Sequence, residues 1–197
     1  MVKSIKLIDL KIFEYINKRC RCSLLDRSMP IITSLGNLGA VWIVISLWLL
    51  RKDIYRPEGL MIISALILAT IIGEGIIKHL VRRDRPFVKL EQSTLLINRP
   101  LTYSFPSGHS ASSFAAAGVF VAMDGRMGIF AVILAGLIAF SRLYLRVHYP
   151  FDVITGVLLG ISCSIIVISM HNQGVYSFFG KTLRVFYHTC LSGLFTG

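Results

Sequence analysis

Three short stretches hold the residues able to do chemistry. Lys78 to Pro86 reads KHLVRRDRP, Pro106 to His109 reads PSGH, and Ser141 to Asp152 reads SRLYLRVHYPFD. Together they supply fixed cations, two histidines and a carboxylate. That set can bind a phosphate, attack it with an imidazole and protonate the group that leaves. Each stretch also has a plainer use. Basic residues anchor membrane spans at the headgroups, Ser-Gly opens many helices, and an Asp in a first turn caps one. The inference rests on the three together.

Lys78 and Arg85 are seven residues apart, so on a continuous helix both side chains share a face, with Pro86 ending it. Lys78 offers a compact charge and Arg85 a fork matching phosphate oxygens. Arg82, Arg83 and Lys89 read better as headgroup anchors. Ser107 suits the N-cap of a helix, Gly108 lets backbone approach a ligand, and His109 then stands beside any anion held by that helix N-terminus. Arg142 closes one apolar segment and His148 precedes the next, with Pro150 placed for its first turn. Asp152 can accept a hydrogen bond from one imidazole nitrogen of His148 and leave the other free to attack. Glu74 lies four residues before Lys78. An ionised Glu inside an apolar segment needs a cation, and Lys78 is nearest in sequence. The pair would hold the ammonium toward the phosphate.

These residues need elements that bring them together. A bilayer core takes about 20 apolar residues per helix. Five segments qualify: Met29 to Leu50, Gly59 to Val81, Ser107 to Met123, Met127 to Leu145, and Pro150 to Met170. Alternating passes put all three chemical stretches on one side of the membrane. The spacing therefore predicts an all-α membrane bundle of about five spans in a single domain over residues 1–197. Residues 1–28 form an amphipathic segment, with Ile5, Leu7, Ile8, Ile12, Phe13 and Ile16 alternating with polar residues. Residues 171–197 form a basic tail of similar pattern. Gly156 and Gly160 form a GxxxG, and Gly108, Ala111, Ser112, Ala115 and Gly118 line the third segment. Such residues let helices pack closely in lipid.

Composition agrees. Of 197 residues, 54% are hydrophobic and 16% charged, with a mean hydropathy of +0.69. The formal charge of +11 suits anionic lipid surfaces and substrates. The cations cluster at segment ends, which argues against a nucleic-acid partner. Cys20, Cys22, Cys163 and Cys190 lack zinc-ligand spacing, so neither a structural metal nor an obligatory disulfide is expected. The N-terminus lacks the apolar core and cleavage site of a signal peptide.

The three stretches match, in order, the signatures K-x6-RP, PSGH and SR-x5-H-x3-D, and the chain resembles the type 2 phosphatidic acid phosphatase superfamily. The resemblance covers the second to fifth segments. It implies a metal-independent membrane lipid phosphatase without cofactors. His148 would carry the phosphoryl group, Asp152 would orient it and His109 would protonate the leaving oxygen. Lys78, Arg85, Arg142, Ser107 and the Gly108 backbone would hold the phosphoryl oxygens. The short layout resembles bacterial undecaprenyl-pyrophosphate phosphatases, which implies undecaprenyl diphosphate as substrate and an outward-facing site in a bacterial plasma membrane. A glycerolipid phosphate, a phosphotransfer reaction, and an anionic-lipid scaffold or transporter are the alternatives. Positive charges nearly balance across the two sides, seven on the motif side up to Arg27 against six opposite. The positive-inside rule therefore sets no orientation.

Overall fold

The computed structural model describes residues 2–89 and 95–174, and among these the ordered elements are helices. They run α1 (Val2–Arg19), α2 (Ser23–Leu35), α3 (Ala40–Leu50), α4 (Arg56–Thr70), α5 (Lys78–Val81), α6 (Pro86–Lys89), α7 (Gly108–Met123), α8 (Gly125–Tyr144) and α9 (Pro150–Asn172). A π-helical stretch, Ile71–Ile77, joins α4 to α5. The C-terminal amphipathic stretch from Tyr176 to Tyr187, and Cys190, lie outside the described residues.

α7 is the axis of the bundle and packs against α9, α8 and α4. Its sequence explains that place. Ala111, Ala115, Ala116 and Ala117 are buried, so neighbouring backbones come close. The GxxxG of α9 is used in this way. A Cβ on Gly156 would sit 2.5 Å from the Ser107 carbonyl oxygen, and one on Gly160 2.4 Å from that of Ala111. Trp42, Ile62, Phe120 and Ile138 fill the remaining core, while many other large apolar side chains point outward. Ile129, Phe130 and Ile133 on α8, and Ile154, Leu158 and Ile165 on α9, are exposed. Small residues at the closest helix contacts and apolar ones on the outer faces suit a hydrocarbon solvent.

Among the described residues, three helical stretches are long and apolar enough to cross a membrane: Asp53–Val88, Gly125–Tyr144 and Pro150–Asn172. The expected first span, Met29 to Leu50, is not one straight helix. It breaks between α2 and α3 with a bend of 48°, and as a bent pair it makes a fourth candidate. Leu38 and Gly39 cause the break, with φ values of 52° and 70° that no right-handed helix accepts. The expected third span is α7, which at 16 residues is too short to qualify by length.

The expected helical face shared by Lys78 and Arg85 does not exist. The helix ends at Val81, where Arg82 takes a left-handed conformation with φ 47°. Pro86 then disfavours helical geometry at Arg85. The chain turns sharply, and Arg85 reaches the site from a non-helical strap.

Candidate active site

The anion cradle begins at α7. Ser107 caps the helix; its Oγ accepts from the Ser110 amide at 3.4 Å and from the Ser110 hydroxyl at 2.9 Å. The Ser107 amide donates to the Asp152 carbonyl oxygen at 2.9 Å, which ties the start of α7 to α9. Gly108 and His109, in the first turn of α7, line the same cavity as Lys78, Arg85 and Arg142, and a helix N-terminus there favours an anion. Lys78, almost fully buried, donates to both oxygens of Glu74 at 2.6 and 2.7 Å. This is the pair read from the sequence. Glu74 lies in the π-helical stretch, a geometry common at functional sites, and Lys78 opens α5 directly after it.

Arg85 is buried and all five of its N–H donors are engaged. Nε donates to the Thr102 carbonyl at 2.7 Å, and Nη2 to the Thr102 hydroxyl and the Tyr103 carbonyl, each at 3.2 Å. Nη1 donates to the Val147 carbonyl at 2.9 Å and lies 3.1 Å from His148 Nε2. Arg142, also buried, donates from Nη1 to the Thr33 hydroxyl, while its Nε has no partner.

His148 sits in the turn between α8 and α9, whose amides at Val147 and His148 both donate to the Arg142 carbonyl. Its Nδ1 faces Asp152 Oδ2 at 3.7 Å, and its Nε2 faces Arg85. A cationic neighbour at Nε2 and a carboxylate at Nδ1 select the tautomer with the proton on Nδ1. Burial pushes the imidazole down to about 3, opposed by Asp152, so it is neutral near pH 7 and Nε2 keeps its lone pair. Asp152 does the capping that its position predicts, while at 3.7 Å it makes no hydrogen bond to the imidazole, whose Nδ1 is buried without a partner. The carboxylate caps α9 by accepting from the Tyr149 amide at 2.9 Å, and it stands behind the histidine. Its Oδ2 also accepts from Ser104 at 2.5 Å, and its Oδ1 from Arg83 at 2.6 Å. Arg83 is therefore not a headgroup anchor.

His109 stands across the site, its Nε2 3.0 Å from Asn37 Oδ1 in the break between α2 and α3. Lys78, Arg85, Gly108, His109, Arg142 and His148 all line one cavity of about 340 Å³. Ser107 and Asp152 are buried behind that lining. Among the described residues, no group of three or more His, Cys, Asp or Glu side chains is placed to hold a metal ion.

Several contributors were not legible as such. Asn37, Thr33, Ser104 and Thr102 come from segments read as apolar span or plain loop. The Gly36-Asn37-Leu38-Gly39 run was the available signal for Asn37, since such residues punctuate a helix.

The Glu74 carboxylate also fills the space beside Gly108: a Cβ there would sit 2.2 Å from Oε1. This contact and the Lys78 pair hold the ammonium at the mouth of α7. Glu74→Gln is expected to raise KM by roughly three- to tenfold, as a loss of about 1 kcal/mol of binding. Steady-state kinetics with KM and kcat unchanged would leave the pair without a role in binding.

The model of the PAP2 superfamily matches residues 58–176 of the chain. An undecaprenyl-diphosphatase of Sulfolobus acidocaldarius is 33% identical over 135 residues, which are 68% of this chain and 65% of that relative. The chain thus spans slightly less than two thirds of that relative's length. Among solved structures, Aquifex aeolicus LpxE superposes with a TM-score of 0.73 at 32% identity, covering 82% of this chain and 95% of that one. A PAP2 type phosphatidylglycerolphosphate phosphatase from Bacillus subtilis shares the fold, with a TM-score of 0.70 at 23% identity over 86% of this chain and 87% of that one. With its apolar helices and these neighbours, the protein is an integral membrane protein.

Proposed function

The chain belongs to the PAP2 superfamily, and on that premise we propose that it is a metal-independent membrane lipid phosphatase whose substrate is undecaprenyl diphosphate. The observation that carries the reading is the His148 imidazole. It is neutral, backed by Asp152 and aimed into a cavity lined by Lys78, Arg85 and Arg142.

In this mechanism the terminal phosphate sits among those three cations at the N-terminus of α7. Arg85 turns its Nη1 proton from His148 to a phosphate oxygen. The freed Nε2 lone pair attacks phosphorus, and the bond from phosphorus to the bridging oxygen breaks. The leaving lipid phosphate takes that electron pair, with a proton from His109. Asp152 accepts from Nδ1–H and stabilises the cationic phosphohistidine. Water then attacks phosphorus, the P–N bond breaks, and His109 takes the water's proton. Fixed cations stabilise the charge at phosphorus throughout, the task magnesium performs in many phosphoryl transfers.

A diphosphate is favoured by the Sulfolobus relative's activity and by the net positive lining of the cavity, Lys78, Arg85 and Arg142 against Glu74. A glycerolipid phosphate is the second reading, supported by the general likeness of phosphatases in this superfamily. The resemblance to bacterial undecaprenyl-pyrophosphate phosphatases implies a bacterial plasma membrane with the site facing outward.

One experiment addresses these points. The purified protein in excess EDTA is given undecaprenyl diphosphate, phosphatidic acid and phosphatidylglycerol phosphate. The diphosphate is expected to release phosphate fastest. A reversed ranking selects the glycerolipid reading, loss with EDTA and rescue by magnesium overturns metal independence, and no release from any of the three overturns the phosphatase. Hydrolysis of a short-chain diphosphate added outside intact cells is the expected sign of an outward site.

A further inference from the structure

Asp9 lies on α1, the amphipathic helix whose Leu7, Ile8, Leu10, Ile12 and Tyr15 are exposed. By pattern it is one of the solvent-facing polar residues of an interfacial helix. In the structure it is fully buried, 0% exposed. A buried carboxylate needs partners, and Asp9 has two, Arg83 on the strap after α5 and the Phe151 amide in the first turn of α9. Its Oδ2 accepts from Arg83 Nη2, and its Oδ1 accepts from the Phe151 amide at 2.9 Å. Arg83 spends its other terminal nitrogen on Asp152 Oδ1 at 2.6 Å. The guanidinium also lies over the Tyr149 ring, 4.1 Å from its centroid. One turn along α1, Phe13 is buried against the same ring, with centroids 5.9 Å apart.

We propose that Asp9 and Arg83 are positioning residues of the catalytic centre, so that α1 holds the Asp152 carboxylate, and through it the His148 imidazole, in line for attack. The argument has two parts. The first is geometric. Asp152 Oδ2 takes Ser104 and the Tyr149 amide, and Oδ1 takes Arg83, so the carboxylate cannot rotate. Asp9 in turn fixes Arg83 and the backbone between His148 and Asp152. The second is electrostatic. Arg83 is shared between two carboxylates. Without Asp9 its whole charge acts on Asp152 and weakens the pull of that carboxylate on the Nδ1 proton of His148. The phosphohistidine cation then loses stabilisation. Neither effect touches Lys78 or Arg142, which bind the phosphate, so turnover falls and affinity holds.

The inference rests on the phosphatase reading with His148 as nucleophile. The test uses the full chain, purified in detergent, with undecaprenyl diphosphate as substrate. Asp9→Asn keeps the size of the side chain and an acceptor for the Phe151 amide but removes the charge. It is expected to lower kcat by roughly ten- to a hundredfold, the scale of a small misplacement of a reacting group, with KM within about twofold. Asp9→Glu should recover part of the lost kcat. Phe13→Ala, which loosens the packing of α1 on Tyr149 and leaves the charges in place, should lower the unfolding temperature with kcat within about threefold of wild type. A kcat for Asp9→Asn equal to wild type overturns the inference. So does a defect confined to KM, or a loss in Asp9→Asn that Phe13→Ala reproduces in step with stability. If wild-type turnover survives in His148→Ala, the assignment of His148 as nucleophile has failed instead; if the wild-type protein releases no phosphate, the phosphatase reading has failed, and these failures are distinct from that of the inference.

Discussion

Replacing His148 with alanine is expected to lower phosphate release by about 10⁴-fold or more while the protein stays folded and binds its substrate. The imidazole is the group whose free nitrogen faces the cation-lined cavity, so its loss removes the bond-forming step itself. Binding should persist, because Lys78, Arg142 and the first turn of α7 remain. Folding should persist too. Arg85 Nη1 keeps the Val147 carbonyl as an acceptor, and the turn around residue 148 is closed by amides that donate to Arg142 rather than by the ring. Wild-type enzyme quenched during turnover should carry an acid-labile phosphoryl label that His148→Ala lacks. Near-normal release from a folded His148→Ala protein would remove the histidine from the mechanism.

Arg85→Lys should lower kcat by about 10²- to 10³-fold, the scale seen when one donor to a developing charge is lost. It should destabilise the protein as well. The charge is kept, but the five-donor fork is not. A lysine ammonium has three protons and cannot serve the Thr102 and Tyr103 carbonyls, the Thr102 hydroxyl, the Val147 carbonyl and His148 at once. Buried acceptors left without donors cost about 1–3 kcal/mol each. The loop at residues 102–103 and the catalytic turn would both loosen. Kinetics and thermal unfolding of Arg85→Lys read the two effects separately. Wild-type values for both would show that charge alone is what this position supplies.

The sequence by itself determined the class of fold and named the residues that the fold gathers in one cavity. Lys78, Arg85, His109, Arg142 and His148 are identifiable because catalysis demands particular functional groups at particular spacings, and apolar run lengths report a bilayer whatever the tertiary packing. Alternation of spans was enough to place all the motifs at one end of the bundle. The pairing of Glu74 with Lys78 was equally legible, since four residues along a helix is a local geometry.

What needed the folded chain was everything that depends on a break or on a distant partner. The helix carrying Lys78 stops at Arg82, and the expected first span bends at Leu38 and Gly39. Both events turn on single backbone conformations that apolar periodicity does not encode. Asn37 meets His109 only because of that bend, and Thr33 meets Arg142 across 109 residues of chain. Asp9 is the clearest case. On an amphipathic helix a polar residue reads as solvent-facing, and only docking of α1 on Tyr149 and Phe151 turns it inward to Arg83. Helical periodicity tells which residues share a face. What that face meets is decided by how the helices pack, because the partners of a buried charge come from wherever the fold brings opposite charge and free amides together.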